Sequence, residues 1–375
     1  LIYQQLLNKI ANSMLGSAAV EKIVAENGKV TLKKIRKYRR RLRELTREFR
    51  QRNKHLQSLH EACVKHVQPV TCPLVLISQI QRSGGSLLSQ LFDGHPEVHA
   101  HPHELKIGYP KKDTWPRLDL NNEPRRWFET LFESSVINHF KMGYKKQRNL
   151  EETFLFLFLP SLQQQLFLNY LDSVYSITQR DIIDAYMTSY FGAWLNNQNY
   201  SGEKKFITAF TARLAMGKDN MEAFFDIYPE GRLISVIRDP RNWYPSAANH
   251  KPLVYGDIRK ALSLWEKNAR AMLWNKEKYG DRVCILTFED LVGHTETVMR
   301  YLADLLKISF DDALLIPTFN KYPIKANTSF KARQHGIING TLNRYKKLSQ
   351  EELGIIDSMI GGLHREVLSL RAKII

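Results

Sequence analysis

Four short apolar runs, at residues 74–78, 206–210, 233–237 and 283–288, restrict the fold of this chain more than any other feature. Runs of this length, rich in Val, Ile, Leu and Phe, read as strands buried on both faces. Helical patterns at residues 86–92, 219–227, 257–279 and 351–370 lie between or after them. Strands alternating with helices in this way predict an α/β fold with a parallel sheet flanked by helices. The stretch from about 122 to 199 has no clear strand and is rich in helix-compatible segments, so it is expected to insert a helical subdomain beside the sheet. At 375 residues, with 43% hydrophobic and 25% charged, the chain is long enough for one large core and an appendage.

The appendage is expected over residues 1–68, and the main domain over 69–375. From Ile35 the apolar residues fall on a seven-residue grid: Ile35, Leu42, Phe49, Leu56 and Cys63 at one position, Tyr38, Leu45 and Leu59 at the other, broken at Arg52. That is a coiled-coil-like pattern. It reads either as self-association into a homo-oligomer through residues 31–66, or as a basic amphipathic helix packed on its own domain. The formal net charge is +17, and residues 33–54 hold twelve Lys and Arg against Glu44 and Glu48. Most of the positive surplus therefore sits in this segment, which suits an acidic polymer or a membrane surface. Specific nucleic-acid binding is disfavoured, because no groove-reading module surrounds the run.

Cys63, Cys72 and Cys284 form neither a CxxC pair nor an even framework, which fits a reducing compartment. The longest apolar stretch, residues 154–159, ends at Pro160 and is far shorter than the roughly 20 residues of a spanning helix. Residues 1–10 include Gln4, Gln5, Asn8 and Lys9 and lack an uninterrupted signal-peptide core. The expectation is a soluble, cytoplasmic protein, with the basic segment offering peripheral attachment to a membrane.

The chemistry is suggested first by the sequence after the run at 74–78: Gln79-Ile80-Gln81-Arg82-Ser83-Gly84-Gly85-Ser86, then Leu87-Leu88 opening a helix. Two glycines let backbone N–H groups approach an anion, and the helix N-terminus adds partial positive charge. Ser86 is expected to cap the helix, and Arg82 supplies a fixed positive fork for phosphate oxygens. A Walker A loop would need Gly-x-x-x-x-Gly-Lys-Ser/Thr; the spacing glycine and the lysine are both missing, which argues against ATP-driven phosphoryl transfer.

The run from Arg82 to Leu88, followed by Phe92-Asp93-Gly94-His95-Pro96, resembles the 5′-phosphosulfate loop of PAPS-dependent sulfotransferases (PAPS, 3′-phosphoadenosine 5′-phosphosulfate). The likeness is to the bacterial and tyrosylprotein types, which read Arg-Ser-Gly-Thr-Thr-Leu and later Ala-His-Pro. A second element of that family, a strand followed by an Arg-Asp-Pro-Arg-like turn with a serine eight residues after its first arginine, is matched by residues 233–241, ending Arg238-Asp239-Pro240-Arg241, and by Ser246. The resemblance spans about residues 73–370. It implies a P-loop NTPase-like sheet and transfer of a sulfuryl group from PAPS to a hydroxyl acceptor, leaving PAP, with no metal required.

By the same resemblance Arg82, Ser83, Gly84, Gly85, Ser86 and Leu87 hold the phosphosulfate, and Arg238 and Ser246 the 3′-phosphate. The late basic stretch from Asn327 through Lys331 and Arg333 to Arg344 is similar to the loop that covers the nucleotide, with Lys331 and Arg333 as its phosphate contacts. Trp265 and the run Thr287-Phe288-Glu289-Asp290-Leu291 also match and read as core and capping features. Attack by a hydroxyl needs its proton removed by a carboxylate or imidazole. After His95-Pro96, residues 97–105 read as a short strand returning toward the sheet's active edge, and by the resemblance a Glu at this place is the base, which nominates Glu104; an extra residue relative to the tyrosylprotein pattern leaves His103 as second candidate. Arg82 is expected to neutralise the leaving phosphate, since an arginine is a poor proton donor. Arg213 and Lys218 are candidates for a third cationic group.

His99, His101 and His103 alternate, which on a strand places three imidazoles on one face and invites a metal reading, against one in which they line a cleft or are satisfied locally. Pro102 counts against the metal reading by interrupting the strand. For the acceptor, a carbohydrate hydroxyl is the first expectation and peptide tyrosine the second. A non-catalytic anion- or nucleotide-binding protein is the competing function.

Overall fold

The computed structural model describes residues 32–107, 114–142, 155–324 and 336–374. The chain divides into two compact units between His66 and Val67. In the first, α1 spans Leu32–His66. Its 35 residues, dominated by Arg, Lys, Leu, Glu and Gln and free of Gly and Pro, are strong helix formers and extend roughly 50 Å. It ends before Pro69, with Lys65 and His66 facing the negative end of its own dipole. From Tyr38 to Leu59 the seven-residue stripe is exposed, Tyr38 at 72% and Leu56 at 51%, and Cys63 is half-buried.

The second unit is built on β1 (Leu74–Ile77), β2 (Val98–Glu104), β3 (Phe206–Phe210), β4 (Arg232–Ile237) and β5 (Val283–Thr287). They form a parallel sheet in the order β2-β3-β1-β4-β5. The Gly-rich turn after its central strand makes this a P-loop-like α/β fold. Every residue of β1 and β5 is buried, as expected where helices cover both faces. One face carries Val75, Ile77, Ile234, Val236 and Leu286, packed with α2 (Gly85–Leu91) and with two helices after β5, α3 (Phe288–Gly293) and α4 (Thr295–Leu306). Each fully buried Leu, Ile or Phe of that layer contributes about 1.5–3 kcal/mol.

Between residues 122 and 199 the described chain forms helices at Pro124–Leu131, Ser135–Met142, Pro160–Asp172 and Gln179–Ala193, with a single antiparallel bridge between Phe158 and Trp194. The last of these helices is buried along most of its length and opens on a capping box between Thr178 and Asp181. Further helices follow at Lys218–Ile227, Pro240–His250, Ile258–Tyr279 and Gln350–Ser369. Among the described residues no helix is long and apolar enough to cross a membrane.

Two local expectations need correction. The first helix of the domain starts at Gly85, and its N-cap is Gly84 in the left-handed region (φ 102°) with no side-chain cap. Ser86 therefore lies inside the first turn, where its hydroxyl is not placed as a cap. The run 283–288 stops as a strand at Thr287, because the Thr287 hydroxyl accepts from Asp290 N–H at 2.9 Å and turns the chain into α3.

All five strands open their carboxyl ends on one edge, and the register aligns them there. Ile77 pairs with Phe210, and Phe210 with Glu104. Adjacent parallel strands are about 4.8 Å apart, so Glu104 stands about 10 Å from the foot of the Gly-rich turn. β1, flanked by β3 and β4, is where connections diverge to the two sides of the sheet, the place where ligands of open α/β sheets bind. The turn tolerates no side chain at Gly85, where a Cβ would lie 1.9 Å from Gln79 Nε2 and 2.4 Å from the Phe210 ring. Gly85→Ala is expected to lower stability by about 1–3 kcal/mol, read from the urea midpoint; an unchanged midpoint would show that the turn is not packed this tightly.

Candidate active site

The turn after β1 is tethered before it reaches its glycines. Ser235 donates to Ser78 O at 2.8 Å, and Ala215 N–H donates to Ser78 Oγ at 2.9 Å. Ile80 N–H donates to Asn268 Oδ1 at 2.7 Å, and Trp243 Nε1 to Gln81 O at 2.8 Å. Gln81 Oε1 accepts from Arg213 Nε at 2.7 Å and from the Tyr255 hydroxyl at 2.9 Å. These bonds hold Arg82 in the left-handed region (φ 71°), a conformation costing on the order of 1 kcal/mol for a non-glycine residue. Gly84 follows at φ 102° against the Phe288 ring. Ser83 is buried, and its hydroxyl has no hydrogen-bond partner among the described residues; Leu87 packs against the core layer under the turn.

The second element arrives from β4. Arg238, 3% exposed, donates to Arg82 O at 3.1 Å and to Thr341 O at 2.7 Å, and its guanidinium lies 4.2 Å from the centre of the Phe288 ring. Its Nε is buried with no partner among the described residues. Asp239 caps the next helix by accepting from Arg241 N–H at 2.9 Å, Pro240 supplies the first helical position, and Ser246 is wholly buried on that helix. Arg82 Nε reaches Ser246 Oγ at 3.5 Å. Trp265 Nε1 donates to Arg238 O at 3.1 Å, so this tryptophan positions the strand end.

Arg344, in the 3₁₀ stretch Asn339–Lys347, is buried and completes a cluster of three guanidinium groups. Burial, then Arg344 and Arg82, push Arg238 down to about 9; burial and Arg82 push Arg344 to about 10. Burial also lowers Arg82. Positive charge collected under cover is relieved by an anion, and guanidinium forks match phosphate oxygens. The nearby carboxylate is a weak counter-ion: Glu289 accepts from Asp239 N–H at 3.3 Å, but burial raises it to about 7 against the pull of Arg238, with Asp239 adding to the rise.

Glu104 is half-buried at the end of β2. The three histidines before it do not share one environment. His99 stacks on Phe191 at 4.8 Å and is pushed down to about 3 by burial and then Lys204. His101 contacts Glu133 at 3.1 Å, and His103 stacks on His139 at 3.8 Å. Among the described residues no group of three or more His, Cys, Asp or Glu side chains is gathered as a metal site. Arg213 braces Gln81 and Tyr255, while Lys218 lies 5.0 Å from the Trp274 ring, turned to a different partner. Lys331 and Arg333 fall outside the described residues.

Sequence reasoning did not nominate Arg344, whose only signal was its place in the late basic stretch. It also missed the tethers from Asn268, Gln81 and Trp243, which have no motif.

The raised Glu289 predicts a pH dependence. The folded state keeps a proton that the unfolded chain sheds near 4.5, so this group's contribution is complete below 4.5 and is lost as pH rises through about 7. Between those values the stability difference is expected to move in favour of Glu289→Gln by at most about 3 kcal/mol, measured by urea denaturation of both proteins across the range. A constant difference would remove the buried carboxyl from this role.

Comparison with known proteins bears on the same elements. A model of the sulfotransferase family matches residues 73–312. Protein-tyrosine sulfotransferase A of Caenorhabditis elegans is 28% identical over 95 residues, 24% of this chain and only a quarter of that protein's length. Among solved structures, the sulfotransferase domain of the curacin biosynthetic pathway is 17% identical, with a TM-score of 0.44, covering 78% of this chain and 99% of that one. The sulfotransferase domain of the Synechococcus PCC 7002 olefin synthase is 16% identical, with a TM-score of 0.42, covering 79% and 96%. Because the family match takes in well over half of the chain and both arginine-bearing turns of the site, this protein belongs to the sulfotransferase family.

Proposed function

We propose that this chain transfers a sulfuryl group from PAPS to a hydroxyl, with a carbohydrate as the first class of acceptor. The observation that carries the proposal is the junction of Arg82, Arg238 and Ser246, with Arg344 beside them, at the carboxyl edge of the sheet. The residues present fit a nucleotide bearing phosphates at both ends of its ribose. Ser83 Oγ and Arg238 Nε are buried polar atoms without protein partners among the described residues, as expected where a ligand's polar atoms complete the site. PAPS supplies the activated sulfuryl group and, on transfer, a phosphate that leaves with added negative charge.

Ser83, Gly84, Gly85, Ser86 and Leu87 would hold the phosphosulfate, and Arg82 would neutralise the charge that develops on the departing phosphate. Its guanidinium keeps its proton, so it acts by position and charge. Arg238 and Ser246 would take the 3′-phosphate, with Arg344 and the late-loop Lys331 and Arg333 as further cations. Glu104 would remove the acceptor proton, with His103 second in line. Peptide tyrosine is the alternative acceptor, favoured by the partial match to the nematode tyrosine sulfotransferase.

The test begins with the donor. PAP is expected to raise the melting temperature of the wild-type chain and not of Arg238→Ala; no shift in the wild type would sink the assignment. Transfer of labelled sulfate from PAPS into a panel of glycans and tyrosine peptides then identifies the acceptor. Glu104→Gln is expected to slow that transfer by about 100-fold or more while keeping the PAP shift. Wild-type turnover in Glu104→Gln would move the role of base elsewhere.

We also propose that α1 pairs with α1 of a second copy. Leu42, Leu45, Phe49, Leu56 and Leu59 recur at coiled-coil spacing and stand 38–51% exposed. Light scattering should report a dimer for the full chain and a monomer for Leu42→Glu/Leu56→Glu. A monomeric wild type would overturn the pairing, and retention of that protein on vesicles of anionic lipid would assign the stripe to a membrane surface instead.

A further inference from the structure

We propose that Glu133 is a positioning residue for sulfuryl transfer, clamping the backbone on both sides of Glu104. The inference rests on the reading of Glu104 as the base. β2 follows β3 in register at Val98↔Phe206, His99↔Ile207 and Ala100↔Thr208, and the next pair is Glu104↔Phe210. β2 thus uses four residues where β3 uses two, and Pro102, which has no N–H, sits in the excess. The sheet ladder therefore does not fix residues 101–103, and Glu104 stands at the end of an irregular stretch.

Glu133, between the helices Pro124–Leu131 and Ser135–Met142, takes over that task from outside the sheet. It is 3% exposed. Its Oε2 accepts from Lys106 N–H at 3.0 Å, two residues after Glu104. Its Oε1 meets His101 Nε2 at 3.1 Å, and His101 Nδ1 donates to His103 O at 3.0 Å, one residue before Glu104. The Tyr186 hydroxyl donates to Oε1 at 2.9 Å. One carboxylate thus grips positions 103 and 106, while Leu105 N–H donates to Phe210 O at 2.7 Å between them.

The chemistry of this cluster argues for placement over simple adhesion. Burying a carboxylate beside Tyr186 and the His101 ring is unfavourable unless its oxygens are hydrogen-bonded, and apolar side chains would pack the same space at less cost. The bonds that Glu133 makes to His101, Lys106 and Tyr186 instead impose one geometry. Here the atoms it fixes are backbone atoms of the strand end that carries the proposed base. A general base displaced by about 1 Å loses on the order of 100-fold in rate, which is the scale on which such a clamp acts.

The test uses the full chain and needs no knowledge of the acceptor for its first reading. In Glu133→Gln, amide hydrogen exchange across residues 103–107 is expected to quicken at least about 10-fold, while segments around Arg82 and Arg238 keep wild-type protection and PAP gives the same thermal shift. Tyr186→Phe removes a bond to the same carboxylate without touching the β2 backbone, and should leave exchange at 103–107 within about 3-fold of wild type. If Glu133→Gln fails to fold, His101→Asn, which removes the link to His103 O, gives the same reading. Unchanged exchange in the folded variant overturns the clamp.

The second reading follows labelled sulfate from PAPS into chondroitin and into an acidic tyrosine peptide. Glu133→Gln should lower kcat about 10- to 100-fold with the KM for PAPS unchanged, and should have no further effect in the Glu104→Gln background. An equal loss in both backgrounds would make Glu133 a structural residue only. Full activity in Glu104→Gln alone would end the base reading, and the exchange measurement would still decide the clamp by itself.

Discussion

Arg238 donates to the carbonyl of Arg82 across 156 residues of sequence, and most of the site's geometry follows from that contact. It docks the end of β4 onto the turn after β1 and brings Ser246 to the Arg82 guanidinium. It also places like charges together where water is scarce. Arg82, Arg238 and Arg344 repel one another at this junction, and Glu289, its own carboxyl raised by burial, offsets them only in part. Under the proposed function, an edge with this balance is organised for an anion before one arrives, so the binding energy of phosphate need not be spent on assembling its receptor.

The rigidity that sustains this repulsion comes from residues with no charge to contribute. Asn268, Trp243, Tyr255 and Trp265 bond to backbone or amide groups of the two turns. Arg213, although charged, does the same work: its Nε and Nη2 hold Gln81 and Tyr255. The same division of labour recurs at β2, where Glu104 is carried on an irregular strand end and Glu133 supplies the hydrogen bonds that the sheet does not. The alternating histidines are separated by this arrangement: one is packed on Phe191, one bonded to Glu133 and one stacked on His139.

Much of the sheet was legible in advance because its signals are local. Short apolar runs flanked by polar turns are best satisfied as buried strands, and the observed β1, β3, β4 and β5 begin and end within one residue of those runs, β5 stopping at Thr287 because that residue caps the following helix. The Ser86 cap failed for an equally local reason: two consecutive glycines let the helix begin one residue earlier, with Gly84 in a left-handed conformation that leaves no side chain to act as a cap. α1 was legible from its composition and seven-residue spacing.

By itself, then, the sequence determined the strand–turn–helix punctuation, the glycines that open a cradle, the positions of Arg82 and Arg238 at strand ends, and the basic helix that precedes the sheet. Only the tertiary structure decided that Arg82, Arg238, Ser246 and Arg344 share one site, that Arg213 braces the loop, and that Glu133 holds the end of β2. The physical reason is range. Propensity and periodicity act over a few residues, whereas these bonds close over separations of 27 to 164 residues between partners whose neighbours carry no shared pattern; they exist only once the sheet has set the distances between its strand ends.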